Sequence, residues 1–192
     1  MAREFELKFR ASARQMTAIM EEHEGFREIA METTYYDTPE QNLLSSRWML
    51  RRRVENGVSV CTLKTPCDDG GRCEWETECE DINAAIPALC SLGAPEELKN
   101  LVSSGLEAVC SARFIRQAAI IEAEDCTVEL SLDRGILKGG ARINLLGEVE
   151  VELKSGSEEN MIAFAKALAA KYGLVPERAS KYLRALYLTG RI

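Results

Sequence analysis

The chain has 192 residues, 46 % of them hydrophobic and 29 % charged, which suits one globular domain, 1–192, with a sizeable core. Its net charge of −7 argues against a duplex nucleic-acid partner, yet leaves room for a small anion gripped by a local cluster of cations. No apolar run reaches the roughly 20 residues that span a bilayer, so no membrane partner is expected, and MAREFELKF lacks the apolar core of a signal peptide, so a cytoplasmic protein is expected.

The first element is the alternating stretch REFELKFR, with Glu4, Glu6, Lys8 and Arg10 on one parity and Phe5, Leu7 and Phe9 on the other. Period two marks a strand with one polar face. Ser12 and Gln15 can form a capping box that opens a helix running to about Gly25. Residues 27–37 read as strand, and 47–55 and 57–65 as a hairpin turning at Asn56-Gly57, a pair suited to the positive φ such turns need. Residues 72–80 alternate again. Asp81 can cap a helix to about Leu92, and Pro95 can open another to about Ser104. Strands are expected over 108–124, 126–133 and 142–154, then a helix over 158–172 capped by Ser157, and a last short helix containing SKYLRAL.

Four of the seven cysteines, Cys61, Cys67, Cys73 and Cys79, fall six apart, and no C-x-x-C pair occurs. With His23 the only histidine, a zinc site is not expected, and the cysteines read as reduced fillers of apolar positions. The same single histidine leaves carboxylates or lysines, or a metal, to do any acid–base work.

Charged rows recur on five strands. Arg51 and Arg53 share a face, Glu74 and Glu76 share another, and Glu148, Glu150 and Glu152 stand opposite Val149, Val151 and Leu153. On one strand this is ordinary solvated surface. On five, with apolar helix faces that must also be covered, it predicts an α+β fold: an antiparallel barrel with a polar interior and helices packed outside. Glu4, Glu6, Glu74, Glu76, Asp133, Glu148, Glu150 and Glu152 are then candidate lumen acids, with Lys8, Arg51, Arg53, Lys64, Arg116 and Lys181 as cations. Carboxylates suit Mg²⁺ or Mn²⁺, and guanidinium forks suit phosphate oxygens.

Taken in order, Glu4-x-Glu6-x-Lys8, YYDTP (35–39), LRRR (50–53), TLKTP (62–66), EWE (74–76), ELSLDRG (129–135), EVEVELKSG (148–156) and SKYLRAL (180–186) resemble the CYTH, or triphosphate tunnel metalloenzyme, family. The resemblance implies an eight-stranded antiparallel tunnel that binds a triphosphate with Mg²⁺ or Mn²⁺. It implies metal ligands Glu4, Glu6, Asp133, Glu148, Glu150 and Glu152, and a catalytic set of Glu4, Glu6, Lys8, Glu74 and Glu76. The implied clamp is Lys8, Arg51, Arg53, Lys64, Arg116 and Lys181, with Arg113, Arg142 and Arg184 in second rank. Cys73, between Arg72 and the glutamates, departs from the pattern and leaves the role of Arg72 open.

The family holds inorganic triphosphatases, thiamine triphosphatases and class IV adenylate cyclases. No adenine-binding surface is evident, and Glu24, not phenylalanine, follows His23. The favoured expectation is metal-dependent hydrolysis of inorganic tripolyphosphate to pyrophosphate and phosphate. The alternatives are a class IV adenylate cyclase, a thiamine or nucleoside triphosphatase, and a non-catalytic polyphosphate-binding module. The expected partner is the small-molecule triphosphate, and a homodimer is allowed.

Overall fold

The computed structural model describes residues 5–67 and 72–192. In chain order its elements are β1 (Glu6–Arg10), α1 (Ala13–Glu22), β2 (Arg27–Asp37), α2 (Asn42–Ser45), β3 (Met49–Glu55), β4 (Val58–Pro66), β5 (Arg72–Glu78), α3 (Ile82–Ser91), α4 (Glu97–Leu101), β6 (Glu107–Ala123), β7 (Cys126–Gly139), β8 (Arg142–Gly156), α5 (Glu158–Tyr172), β9 (Val175–Pro176) and α6 (Lys181–Tyr187).

The local signals act as their chemistry dictates. Ser12 and Gln15 close a capping box on α1, and the Asp81 carboxylate accepts from the amides of Asn83 and Ala84 at the start of α3. Ser157 caps α5, and Gly173 ends it with φ 65°. Asn56 and Gly57 both take positive φ, 48° and 92°, between β3 and β4. β7 runs on to Gly139, past the expected end at Asp133, because its residues find partners on both β6 and β8.

The strands form one antiparallel sheet in the order β5-β4-β3-β2-β6-β7-β8-β1-β9. The eight expected strands are joined by a ninth of two residues. Among the described residues the ladder ends at β5 and β9, so hydrogen bonds do not close the tunnel. β9 ends in Pro176, whose nitrogen has no hydrogen to donate.

The outer face of the sheet carries the main core. Phe9, Val128, Leu130, Val149 and Val151 pack with Met16 and Ile19 of α1 and with Met161, Ala165 and Leu168 of α5. Leu50, Cys61 and Leu63 pack with Leu43 of α2, Ile82, Ile86 and Leu89 of α3, and Leu98 of α4. These helices lie outside, as expected. The last helix does not. Tyr182, Ala185 and Leu186 of α6 pack on Met31, Tyr35, Phe114, Leu137 and Leu146, which share the inner face with the charged rows. Gly139 permits this approach, since a Cβ there would stand 2.5 Å from the Ala185 carbonyl oxygen.

The reading of all seven cysteines as reduced is corrected: Cys67 and Cys73 form a disulfide. The β4–β5 hairpin sets their Cα atoms 5.4 Å apart, inside the range a disulfide can bridge. The other five are free, four of them buried.

Candidate active site

Register decides whether the charged rows meet. Directly paired residues of an antiparallel sheet point to the same side. Glu6 faces Glu152, Lys8 faces Glu150, Glu150 faces Ser131, Glu148 faces Asp133, and Asp133 faces Arg116. Farther along, Thr33 faces Arg53, Tyr35 faces Arg51, Arg51 faces Thr62, Thr62 faces Glu76, and Lys64 faces Glu74. The pairings therefore put the charged rows on one inner face, as an acidic and a basic end with Met31, Tyr35 and Phe114 between them.

The acidic end of this face is built by β7 and β8. Asp133, Glu148 and Glu150 are all buried, and each offers an oxygen within 4.8 Å of the other two. Both oxygens of Asp133 accept from Arg116, each at 2.7 Å. Arg116 also pairs with Glu150, and Arg184 of α6 with Glu148. Lys181 reaches in from the first turn of α6. Its Nζ lies 2.8 Å from Asp133 and 2.8 Å from Glu150, and it pairs with Glu148 as well. The Phe114 ring lies beneath, its centroid 5.3 Å from Lys181 Nζ and 5.9 Å from the Arg116 guanidinium carbon.

Burial would raise the Glu150 carboxyl, but Lys181, Arg116 and Lys8 together hold it well below the usual carboxylate range. Burial does raise Glu148, only partly offset by Lys181 and with Glu150 adding to the rise. Lys8 stays raised against burial by Glu6, 2.6 Å away, and by Glu150. Glu152 carries Lys154 at 2.8 Å. Glu4 lies outside the described residues.

The basic end is built by β3, β4 and β5. Arg51 is buried, yet its nearest carboxylates, Glu74 and Glu76, stand 3.7 Å away and its Nε has no hydrogen-bond partner among the described protein atoms. Burial, then the neighbouring Arg53, push the Arg51 guanidinium down from its ordinary value. Arg53 leans on Thr33 at 3.3 Å and Glu55 at 3.2 Å. Lys64 pairs with Glu74 at 3.0 Å, Glu76 accepts from Thr62 at 2.8 Å, and burial raises the Glu74 carboxyl.

Two second-rank cations stand apart from this cluster, Arg113 by its face and Arg142 by its place at a turn. Arg113 alternates with Phe114 and Arg116 on β6, so it points outward, pairs with Glu32 at 2.9 Å and is 76 % exposed. Arg142 is exposed at the β7–β8 turn, opposite Gly139. Sequence reasoning overlooked Glu129, which faces Glu152, accepts from Ser131 at 3.2 Å and lies near Arg27 and Lys154. It shares parity with Asp133 in ELSLDRG, and that parity was the available signal. A wide groove of about 1410 Å³, lined by Met16, Met20, Ile115, Ile136 and Leu145, lies beside α1 and includes none of Asp133, Glu148 and Glu150.

Three buried carboxylates that could share a cation thus stand on one face with the buried Arg51 and Lys181 and the half-buried Lys8, Arg53, Lys64 and Arg116. The chain belongs to the CYTH domain family, which it matches over residues 2–186. It is 30 % identical over 159 residues to an inorganic triphosphatase of Haemophilus influenzae, an alignment covering 82 % of this chain and 45 % of that protein. The chain thus spans less than half the length of that relative. Its fold resembles PH1819 of Pyrococcus horikoshii at TM-score 0.62 and 23 % identity, covering 98 % of this chain and 99 % of the other. It also resembles the Hippeastrum protein HpAC1, which carries an adenylyl cyclase designation and a dominant triphosphatase activity, at TM-score 0.65 and 16 % identity over 96 % and 95 % of the two chains. At such identities these two likenesses speak for the fold alone.

Proposed function

We propose that the protein is a divalent-metal-dependent triphosphatase, acting in the cytoplasm, that cleaves inorganic tripolyphosphate with water to pyrophosphate and orthophosphate. The observation that carries this reading is Arg51, a buried guanidinium whose Nε lacks a hydrogen-bond partner among the described residues and whose carboxylates stand off at 3.7 Å. A buried donor left unpaired is costly, and a phosphate oxygen would satisfy it.

Asp133, Glu148 and Glu150 fit Mg²⁺ or Mn²⁺, since both take oxygen ligands and these three offer oxygens within 4.8 Å of one another. Such an ion would neutralise phosphate charge and orient a water for in-line attack on a terminal phosphorus. The chain's own part is positioning. Arg51, Arg53 and Lys64 grip one end of the triphosphate, while Lys8, Arg116 and Lys181 lie toward the other. Glu74 and Glu76 aim Arg51 and Lys64. Glu6, opposite Glu152, extends the acidic row past the three carboxylates, and Glu4 belongs to the same proposed set.

Phosphorus NMR of the products from tripolyphosphate, ATP and thiamine triphosphate, with Mg²⁺, Mn²⁺ or EDTA, tests the reading. Equal amounts of pyrophosphate and orthophosphate, formed fastest from tripolyphosphate and only with metal, are expected. Cyclic AMP and pyrophosphate from ATP, or no turnover of any substrate, would overturn it.

A further inference from the structure

Lys181 is placed where a metal would also have to be. Its ammonium meets oxygens of Asp133, Glu148 and Glu150, and these three are, among the described residues, a group whose oxygens converge closely enough to hold an ion. Two cations cannot take the same lone pairs. The local charge makes the conflict sharper. Three carboxylates are already matched by three cations, since Arg116 bridges Asp133 and Glu150, Arg184 holds Glu148, and Lys181 touches all three. A divalent ion added on top would leave uncompensated positive charge in a buried place, where it is poorly screened.

The lysine is the group best able to yield. Arg116 is fixed by two parallel hydrogen bonds to Asp133, a geometry a guanidinium fork holds tightly. Lys181 instead carries a point charge on a flexible four-carbon stem, and it begins α6 directly after the Ser180 cap, so its head can swing without unwinding the helix. The ring of the neighbouring Tyr182 lies 5.0 Å from that of Tyr35, tilted by 40°, and Tyr35 stands opposite Arg51. The helix that carries Lys181 therefore touches the inner face beside the basic end as well as at the acidic one.

Resting on the triphosphatase reading, we propose that Lys181 is a displaceable internal cation that couples metal binding to triphosphate binding. It competes with the divalent ion for Asp133, Glu148 and Glu150, and a phosphate oxygen that accepts its ammonium frees those carboxylates for the metal. By reciprocity, each ligand then strengthens the binding of the other. The role is one of positioning, distinct from contact with phosphate alone.

The test is the affinity for Mn²⁺ alone, with no phosphate compound present, read from the free-ion electron paramagnetic resonance signal. Lys181→Met and Lys181→Gln should each bind Mn²⁺ on the order of 10-fold more tightly than the wild type, a coupling of ordinary size. Lys181→Arg, which keeps the charge, should show no such gain. A lysine that merely supports the fold would not give tighter metal binding when removed. The wild type should also bind Mn²⁺ more tightly once the non-hydrolysable analogue imidotriphosphate is added, and the gain should shrink in Lys181→Met. Equal Mn²⁺ affinity in the wild type, Met and Gln forms would overturn the competition while leaving the metal site intact. Absence of Mn²⁺ binding in every form, with or without imidotriphosphate, would overturn the metal-dependent reading itself.

Discussion

Arg116 and Asp133 form a two-point ion pair, with both hydrogen bonds at 2.7 Å and the carboxylate shielded from water. It is the joint on which the acidic end of the inner face depends, because Arg116 also reaches Glu150. Removing Arg116 leaves three buried carboxylates, Asp133, Glu148 and Glu150, to Lys181 and Arg184, one close cation too few. Arg116→Ala should cost about 3–5 kcal/mol of stability. Urea denaturation measures it, and a midpoint like that of the wild type would show that Asp133 is not held as described.

The alternation along β6 and β3 separates two arginines that look equivalent in the sequence. Arg51 is buried on the inner face, whereas Arg113 is exposed on the outer one beside Glu32. Arg51→Ala should weaken binding of imidotriphosphate by at least ~10-fold, the scale of one charged hydrogen bond. Arg113→Ala should leave it unchanged. Calorimetric titration of both variants decides the matter, and equal losses would contradict the assignment of faces.

Asp81 gives a pH signature remote from the site. The amides of Ala84 and Asn83 donate to its carboxylate and lower it from its ordinary value of 3.8. A group lowered on folding adds stability above its unfolded value, and that stability is lost as the pH falls through the folded one. The melting temperature of Asp81→Ala should therefore lie below that of the wild type at neutral pH, and the gap should narrow below pH 3.8. A gap that widens in acid would refute the cap.

The cysteines should divide by pairing and burial. Unfolded but unreduced protein should titrate five thiols, with Cys67 and Cys73 appearing only after reduction. In the folded protein, burial pushes the Cys61 thiol up to about 11 and the Cys110 thiol up to about 12. At pH 8 about one Cys61 in a thousand is then thiolate, so alkylation there should be slow. Mass mapping after a short iodoacetamide pulse checks this, and rapid labelling of Cys61 or Cys110 would contradict their burial.

Much of the site was legible because a strand has period two. Once Glu6, Lys8, Glu150 and Arg51 were placed on one parity of their strands, pairing carried the pattern across the sheet, and the observed register of Lys8 with Glu150 and of Thr62 with Glu76 shows that it holds. The resemblance of the ordered motifs to a known family added what alternation alone lacks, namely which rows to join. Helix caps at Ser12, Asp81 and Ser157 were likewise visible, since capping is a local matter.

What escaped was set by contacts between distant segments. Lys181 was placed among the lumen cations, but the inner position of its helix was not, since all helices were expected outside and the close approach allowed by Gly139 appears only in three dimensions. Arg113 and Arg142 were ranked as cations without regard to the parity of one and the turn position of the other. Glu129 was passed over because its row on β7 also holds Ser131, which breaks the run of charge. The two-residue β9 is too short to leave a periodic trace, and Cys67 and Cys73 pair through the geometry of their hairpin.

The central claim is that the inner face holds a divalent ion on Asp133, Glu148 and Glu150 and a triphosphate against Arg51. Manganese anomalous diffraction from crystals grown with Mn²⁺ and imidotriphosphate tests it most directly. The account predicts an anomalous peak among those three carboxylates and a phosphate oxygen hydrogen-bonded to Arg51 Nε. A peak on the outer face, or imidotriphosphate bound away from Arg51, would contradict it.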